Sequence, residues 1–239
     1  MNVLVAISGY QGDQHQIENN WPAYSHHGHP IVVLSPEDAP IEKMNDAKCV
    51  SVGEKGWVGP HTLRRHHLFL RELLSQRADF YLFHDADSVC LSPEIPRYVF
   101  ESPEVFWSNE VTDTNPAPSR LPKIAMQPPY MFSRHVLRAL VRACSTPAQS
   151  FSQVSAHGDL PLPTECIDHF QLQIVYSAGI SHRSFPDGAS FETASDHGFS
   201  VMREHVGRLG KVFLHSIKKK HVLDQLLLDR RFFLENKTR

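Results

Sequence analysis

Two aspartates, Asp85 and Asp87, stand one residue apart at the end of the apolar run Phe80-Tyr81-Leu82-Phe83, within the stretch FYLFHDADSVCLSP. Side chains at i and i+2 of an extended segment point the same way, so this spacing predicts two carboxylates side by side. Such a pair repels, and a divalent cation carrying a bound diphosphate relieves the repulsion. The apolar run has the character of a buried strand in a mostly parallel sheet, where both faces are covered. Ligands of open α/β sheets bind outside the carboxyl ends of the strands, which is where the pair falls. Asp and Ser are also common turn formers after any strand, so the string needs its context. Val89-Cys90-Leu91 followed by Ser92-Pro93 reads as a second short strand leaving the same place.

The chain has 239 residues, enough for one α/β domain with a substantial core. Its 21% charged and 41% hydrophobic residues are ordinary for a globular protein. A formal net charge of -2 gives no global basic signature of a nucleic-acid binder. The 16 histidines are scattered and form no H-E-x-x-H or finger spacing. Cys49, Cys90, Cys144 and Cys166 make no C-x-x-C pair, which argues against a zinc knuckle and fits reduced thiols. No apolar run approaches the ~20 residues that span a bilayer. The amino terminus enters an apolar strand with no basic leader, so the expectation is a cytoplasmic protein, bacterial or viral.

In chain order, Val3 to Ile7 predicts a first strand, closed by Ser8-Gly9-Tyr10. Asp13 to Gln16 has the form of a capping box opening a short helix through Ile17 and Trp21, which Pro22 breaks or restarts and Gly28 ends. Ile31 to Leu34 and Cys49 to Val52 read as strands, and Pro60 as the first residue of a helix running to about Gln76. After the Asp pair, Val105 to Trp107 is a strand and Thr112 to Pro122 a loop. Tyr130 to Phe132 is a strand entering Ser133, which caps a helix with Val136, Leu137, Leu140, Val141 and Cys144 on one face. Ser145 to Pro163 is a long loop, the kind of segment that often serves as a lid. Thr164 caps the helix TECIDHFQLQIVYSAG, with Glu165 and Asp168 near its start. Ser181 to Ser200 is mostly loop by composition. Val212 to Leu214 is a late strand ending at His215, and an amphipathic helix closes the chain. The order β-α-β-β-α-β predicts an α/β fold, a mixed and mostly parallel sheet with helices on both faces. No G-x-G-x-x-G follows the first strand, so a dinucleotide fingerprint is absent.

The placement of Asp85-Ala86-Asp87 after an apolar strand, a third of the way along, resembles the D-x-D of nucleotide-sugar-dependent glycosyltransferases of the GT-A fold. The resemblance implies a single GT-A-like (Rossmann-like) domain over 1–239. Residues 1–110 would bind the nucleotide sugar, and 111–239 would supply the acceptor half and the carboxy-terminal helix. It implies that Asp85 and Asp87 hold Mn2+ or Mg2+ against the diphosphate of a donor such as a UDP-sugar, Asp87 being the direct ligand. Ser8 and Tyr10 resemble the family's nucleoside-binding edge, Tyr10 able to stack on a base, and Asp38 (or Glu37) stands where a base or ribose is held. Arg64 and Arg65 stand in the helix whose basic residue approaches the donor's phosphates, for which a guanidinium fork is suited. In the string HSIKKKH, His215 and Lys218 match the order and spacing of the family's last metal ligand and diphosphate-binding lysine. Inverting members place a catalytic carboxylate at a helix start as x-E-D. Here the string is E-C-I-D, which leaves Glu165 and Asp168 both open, with Asp168 favoured.

Three other readings compete. Asp85-Ala86-Asp87-Ser88-Val89 also resembles the D-x-D-x-[TV] string of haloacid-dehalogenase-type phosphatases, but that family carries it on the first strand. A non-catalytic nucleotide-sugar-binding module is a second. The third concerns the acceptor: the basic tail (Lys218 to Lys220, Arg230, Arg231, Lys237, Arg239) would suit a viral enzyme glycosylating hydroxymethylated DNA bases, and equally a glycan or lipid acceptor. The last helix could also pack on a second subunit, giving a homodimer.

Overall fold

The computed structural model describes residues 1–53, 60–112, 124–145, 174–175, 178–190 and 195–237. A seven-stranded sheet forms its centre. Its strands, in chain order, are β1 (Val3–Ser8), β2 (Ile31–Ser35), β3 (Lys48–Ser51), β4 (Phe80–Asp85), β6 (Val105–Thr112), β7 (Ile124–Ser133) and β8 (Ser181–Ser184). A three-stranded sheet of β5 (Val89–Cys90), β9 (Gly188–Ser190) and β10 (Phe213–His215) lies beside it.

The order across the large sheet is β3-β2-β1-β4-β7-β6-β8. β3, β2, β1 and β4 run parallel, whereas β7 is antiparallel to both β4 and β6. The chain winds outward from β1 through β2 to β3, then returns to place β4 on the other side of β1. The direction of winding reverses between β1 and β4, and a crevice opens at such a switch point.

Alternation along β4 divides the core. Phe80 and Leu82 join one apolar layer with Ile17, Ala23 and Tyr24 of α1 (Gln14–Ser25), Val99 of α3 (Arg97–Glu101), Met202 and Val206 of α5 (Asp196–Gly207), and Val222, Leu223 and Leu226 of α6 (Lys220–Lys237). Tyr81 and Phe83 join the other, with Phe69, Leu70 and Leu73 of α2 (Pro60–Ser75) and Val136, Leu137 and Leu140 of α4 (Arg134–Ser145). Each fully buried Leu or Phe is worth about 1.5–3 kcal/mol relative to exposure, so the two layers fix the sheet and with it the strand ends. The predicted caps of α2 and α4 hold: Pro60 begins α2, and the Ser133 hydroxyl accepts from Val136 N at 3.2 Å.

Three local expectations are corrected. Pro22 lies inside α1 and does not break it, because Ile17, Ala23 and Tyr24 are buried on either side. Asp13 makes no side-chain cap to α1; its carboxylate accepts from Tyr10 N at 3.1 Å and shapes the preceding turn. The Ser181–Ser200 stretch contains β8, β9 and the start of α5, capped by Ser195. These two strands are short and polar, and β8 is a sheet edge, so neither leaves an apolar alternation to read. Of the loops predicted over 112–122 and 145–163, Thr112 instead ends β6 and Ser145 ends α4, and the remainder falls outside the described residues; of the helix predicted from Thr164, only 174–175 are described as helical. Among the described residues no helix is long and apolar enough to cross a membrane.

Histidines gather where α1 ends. His26 Nε2 and His27 Nε2 lie 3.2 Å apart, and the His29 ring stacks on that of His27. Burial, with His26 and His29 nearby, lowers the His27 pKa to about 3; burial also lowers that of His84 on β4 to about 3. The unfolded chain takes up these protons near pH 6.5. The stability that neutral His27 and His84 allow is therefore full above pH 6.5 and lost as pH falls toward 3, by about 1.4 kcal/mol per pH unit for each ring. Urea unfolding from pH 7 to 4 is expected to show this slope, reduced by up to one proton in His27→Gln. An unchanged slope in that variant would show that His27 is not held neutral.

Candidate active site

β1 and β4 end in register, so Ser8 sits opposite Asp85. Ser8 Oγ donates to Asp85 Oδ1 at 2.5 Å. Burial and the charge of Asp87 push the Asp85 carboxyl up, while the Ser8 bond, His215 and Arg65 pull it down. Its net pKa is raised, so this strand end holds more negative charge than its surroundings readily solvate.

β4 stops at Asp85, and the chain then turns instead of staying extended: Ser88 N donates to Asp85 O at 3.1 Å, and Asp85 N donates to Ser88 Oγ at 3.0 Å. The i, i+2 rule for strands therefore does not govern the pair. Asp85 engages Ser8, whereas Asp87 Oδ1 faces His215 Nε2 at 3.4 Å. Among the described residues, no three His, Cys, Asp or Glu side chains converge tightly enough to hold a metal ion. Asp87 and His215 form the close pair, and both lie close enough to Asp85 to act on its charge.

Residues that sequence reasoning missed hold this turn. Along one line of α1, Gln16 Nε2 donates to Ile217 O (2.7 Å), Asn20 Nδ2 to Ala86 O (2.9 Å) and Ile217 O (3.1 Å), and Tyr24 Oη to Ala86 O (3.0 Å). Ile217 N donates to Asp87 O at 2.8 Å. Ser216 adopts φ 68°, a left-handed conformation costing a non-glycine residue roughly 1–2 kcal/mol, as the chain turns from His215 to that bond. The signal was present as polar residues at i, i+4 and i+8, with Asn20 fully buried.

The other predicted residues separate by position. Arg65 is buried beside a pocket that it lines with Ser8, His66, Phe69, Phe83, Asp85 and Tyr130. Burial lowers its pKa, against the opposing charges of Asp85, Asp13 and Asp38. Arg64, the next residue around the helix, is exposed. Tyr10 lies over Gly12, where a Cβ would come within 2.4 Å of its ring. Asp38 and Glu37 are exposed in the loop after β2, and Gln11 N donates to Ala39 O, tying that loop to the Tyr10 turn. Lys218 is exposed just past the Ile217 bond. Glu165 and Asp168 lie outside the described residues. His66, Phe69 and Tyr130 were not foreseen; Phe69 lies one helical turn beyond Arg65 on the same stripe.

Within this arrangement it is the spacing of one pair, Asp87 and His215, that is compatible with a divalent cation. Two ligands of one small cation stand roughly 3 Å apart when each is 2.0–2.1 Å from it, close to the Asp87–His215 separation. The donor set is carboxylate oxygen and imidazole nitrogen, near the half-buried Asp85, whose charge is disfavoured.

The seven-stranded, mixed sheet with helices on both faces is a GT-A-like fold, shared with solved glycosyltransferases and with a nucleotidyltransferase-like synthase. Among solved structures, a glycosyltransferase involved in glycosylation of the major capsid of PBCV-1 matches at TM-score 0.50 and 11% identity, covering 97% of this chain and 100% of its own. A 4-diphosphocytidyl-2C-methyl-D-erythritol synthase matches at TM-score 0.51 and 12% identity, over 95% and 100%. The apo glycosyltransferase GlyE of Streptococcus pneumoniae TIGR4 matches at TM-score 0.50 and 12% identity, over 99% of this chain but 63% of its own. At these identities the likeness shows the fold alone. Neither the protein-family models nor the curated protein sequences give a match.

Replacing Asn20 with Leu removes its bonds to the Ala86 and Ile217 carbonyls at a buried position. Chemical denaturation is expected to show a loss of about 1–3 kcal/mol. A change below about 0.5 kcal/mol would mean that the α1 line does not hold the turn.

Proposed function

We propose that this protein is a metal-dependent glycosyltransferase, moving a sugar from a nucleoside diphosphate sugar, a UDP-sugar in the first instance, to an acceptor hydroxyl. The observation that carries the reading is the Asp87–His215 pair, 3.4 Å apart just past the end of β4, whose last residue, Asp85, lines the pocket that contains Arg65. The likeness in fold to known glycosyltransferases supports it.

Asp87 and His215 would hold Mn2+ or Mg2+, with the nearby Asp85 adding its charge. Bound there, the ion would supply positive charge against the departing diphosphate. Arg65 faces the same pocket, and its fork would bind phosphate or sugar hydroxyl oxygens. Lys218 would approach the diphosphate from the opposite strand end. Tyr10, on the turn after β1, would stack on the base, with Asp38 or Glu37 hydrogen-bonded to base or ribose. Arg64, being exposed, would reach the donor only from the rim. In the transfer, the bond from the sugar's anomeric carbon to the diphosphate oxygen breaks and its electron pair leaves on that oxygen. A bond forms from the anomeric carbon to the acceptor oxygen, whose proton passes to a carboxylate, for which Asp168 and then Glu165 are our candidates. The acceptor would be a glycan, a lipid or a modified DNA base.

Nucleotidyl transfer is the second reading, favoured by the likeness to the diphosphocytidyl-methylerythritol synthase. Calorimetry across a panel of nucleotide sugars with and without Mn2+ separates the two. We expect one nucleoside diphosphate sugar to bind in the presence of the metal, to be slowly hydrolysed, and to lose at least tenfold in affinity in Asp87→Asn. Pyrophosphate release from a nucleoside triphosphate, with no donor bound, would favour nucleotidyl transfer. Mg2+-dependent cleavage of simple phosphate esters would overturn both.

A further inference from the structure

His215 has two ring nitrogens, and what each meets determines what the residue can do. On the Asp87 side is Nε2. On the other side Nδ1 lies 3.3 Å from Ser190 Oγ, because β9 and β10 run parallel with His215 opposite Ser190. The Ser190 hydroxyl also donates to Gln127 Oε1 on β7. A hydroxyl has one proton. With that proton given to Gln127, the bond to His215 must run the other way, Nδ1–H donating to Ser190 Oγ.

We infer that Ser190 and Gln127 are positioning residues that fix His215 as the Nδ1–H tautomer and leave the Nε2 lone pair facing Asp87. A neutral imidazole protonated at Nδ1 carries no proton on Nε2. Nε2 and Asp87 Oδ1 then face each other as two acceptors, a contact that attracts only when a positive charge joins it. A side chain that accepts from the far nitrogen is the usual device for orienting a metal-binding histidine. This inference rests on the metal reading above, but it concerns the proton on His215 and can be tested without catalysis.

The surrounding packing fixes the distances of the relay. Asn109 on β6 is buried and donates to Pro128 O, next to Gln127, and to Phe213 O, two residues before His215. It thereby locks β7 to β10. β9 comes so close that a Cβ at Gly188 would lie 2.1 Å from Asn109 Oδ1, so glycine is needed there for Ser190 to reach its place. Three strands, far apart in sequence, thus deliver Gln127, Ser190 and His215 in line.

The relay makes two distinct mutational demands. Ser190→Ala removes the acceptor for Nδ1–H, so the ring is free to move its proton to Nε2, toward Asp87. Gln127→Leu leaves the hydroxyl in place but returns its proton, which can then be donated to Nδ1 and again drives the ring proton to Nε2. Ser190→Thr keeps the hydroxyl and should behave as wild type.

The test combines 15N spectra of histidine-labelled protein with Mn2+ affinity measured from the electron paramagnetic resonance of free Mn2+. The His215 signals are identified by their loss in His215→Gln. We expect wild type and Ser190→Thr to show protonated Nδ1 and bare Nε2. Ser190→Ala and Gln127→Leu should show proton on Nε2 and bind Mn2+ about 10- to 100-fold more weakly. A wild-type signal with the proton on Nε2, or Mn2+ affinity unchanged in both disruptive variants, would overturn the inference. If wild type shows the expected tautomer, shifted by both variants, yet binds no Mn2+, the relay stands and the metal-dependent transferase reading fails.

Discussion

A partly buried carboxylate at the meeting point of β1 and β4 is the constraint on which the rest of this structure depends. The central strands are apolar and inaccessible, and Asp85 ends one of them half-buried, where desolvation disfavours its charge. Asp87 adds a second charge within electrostatic reach. The neighbouring groups respond to it: the Ser8 hydroxyl donates to one carboxylate, Arg65 sits buried despite the cost, and His215 faces the other. In the proposed reading, it is the divalent cation that would add positive charge at this strand end.

The turn that carries these charges is held through its backbone. Bonds from α1 and from Ile217 reach the carbonyls of Ala86 and Asp87, not the carboxylates, which meet Ser8 and His215 instead. Fixing the main chain of the turn independently of its side chains is the arrangement expected of a preorganised site. The same segment that supplies Ile217 supplies His215 and Lys218, so the carboxy-terminal strand and the Asp turn form one mechanical unit.

Much of the fold was legible because its strands are continuous apolar runs and its helices have clear caps: β1, β2, β4, α2 and α4 all follow from local pattern. The Asp pair and His215 were legible as residue types. Their geometry was not. Whether Asp85 and Asp87 point together depends on a turn closed by Ser88, and the i, i+2 rule assumed a strand that had already ended. Arg65 and Arg64 could have been separated by phase, since Phe69 and Leu73 mark the buried stripe that Arg65 continues. Gln127 and Ser190 could not have been found, because their bond spans 63 residues and depends on short polar strands with no pattern of their own. Glu165 and Asp168 rest on the sequence alone.

Anomalous scattering from Mn2+ soaked into crystals of the protein tests the central claim most directly. We predict a single strong peak within bonding distance of Asp87 and His215 Nε2, on the side of the turn facing the Arg65 pocket. No peak there at millimolar Mn2+ with a nucleoside diphosphate present, or a peak elsewhere, would contradict the account of the Asp turn as a metal-dependent donor site.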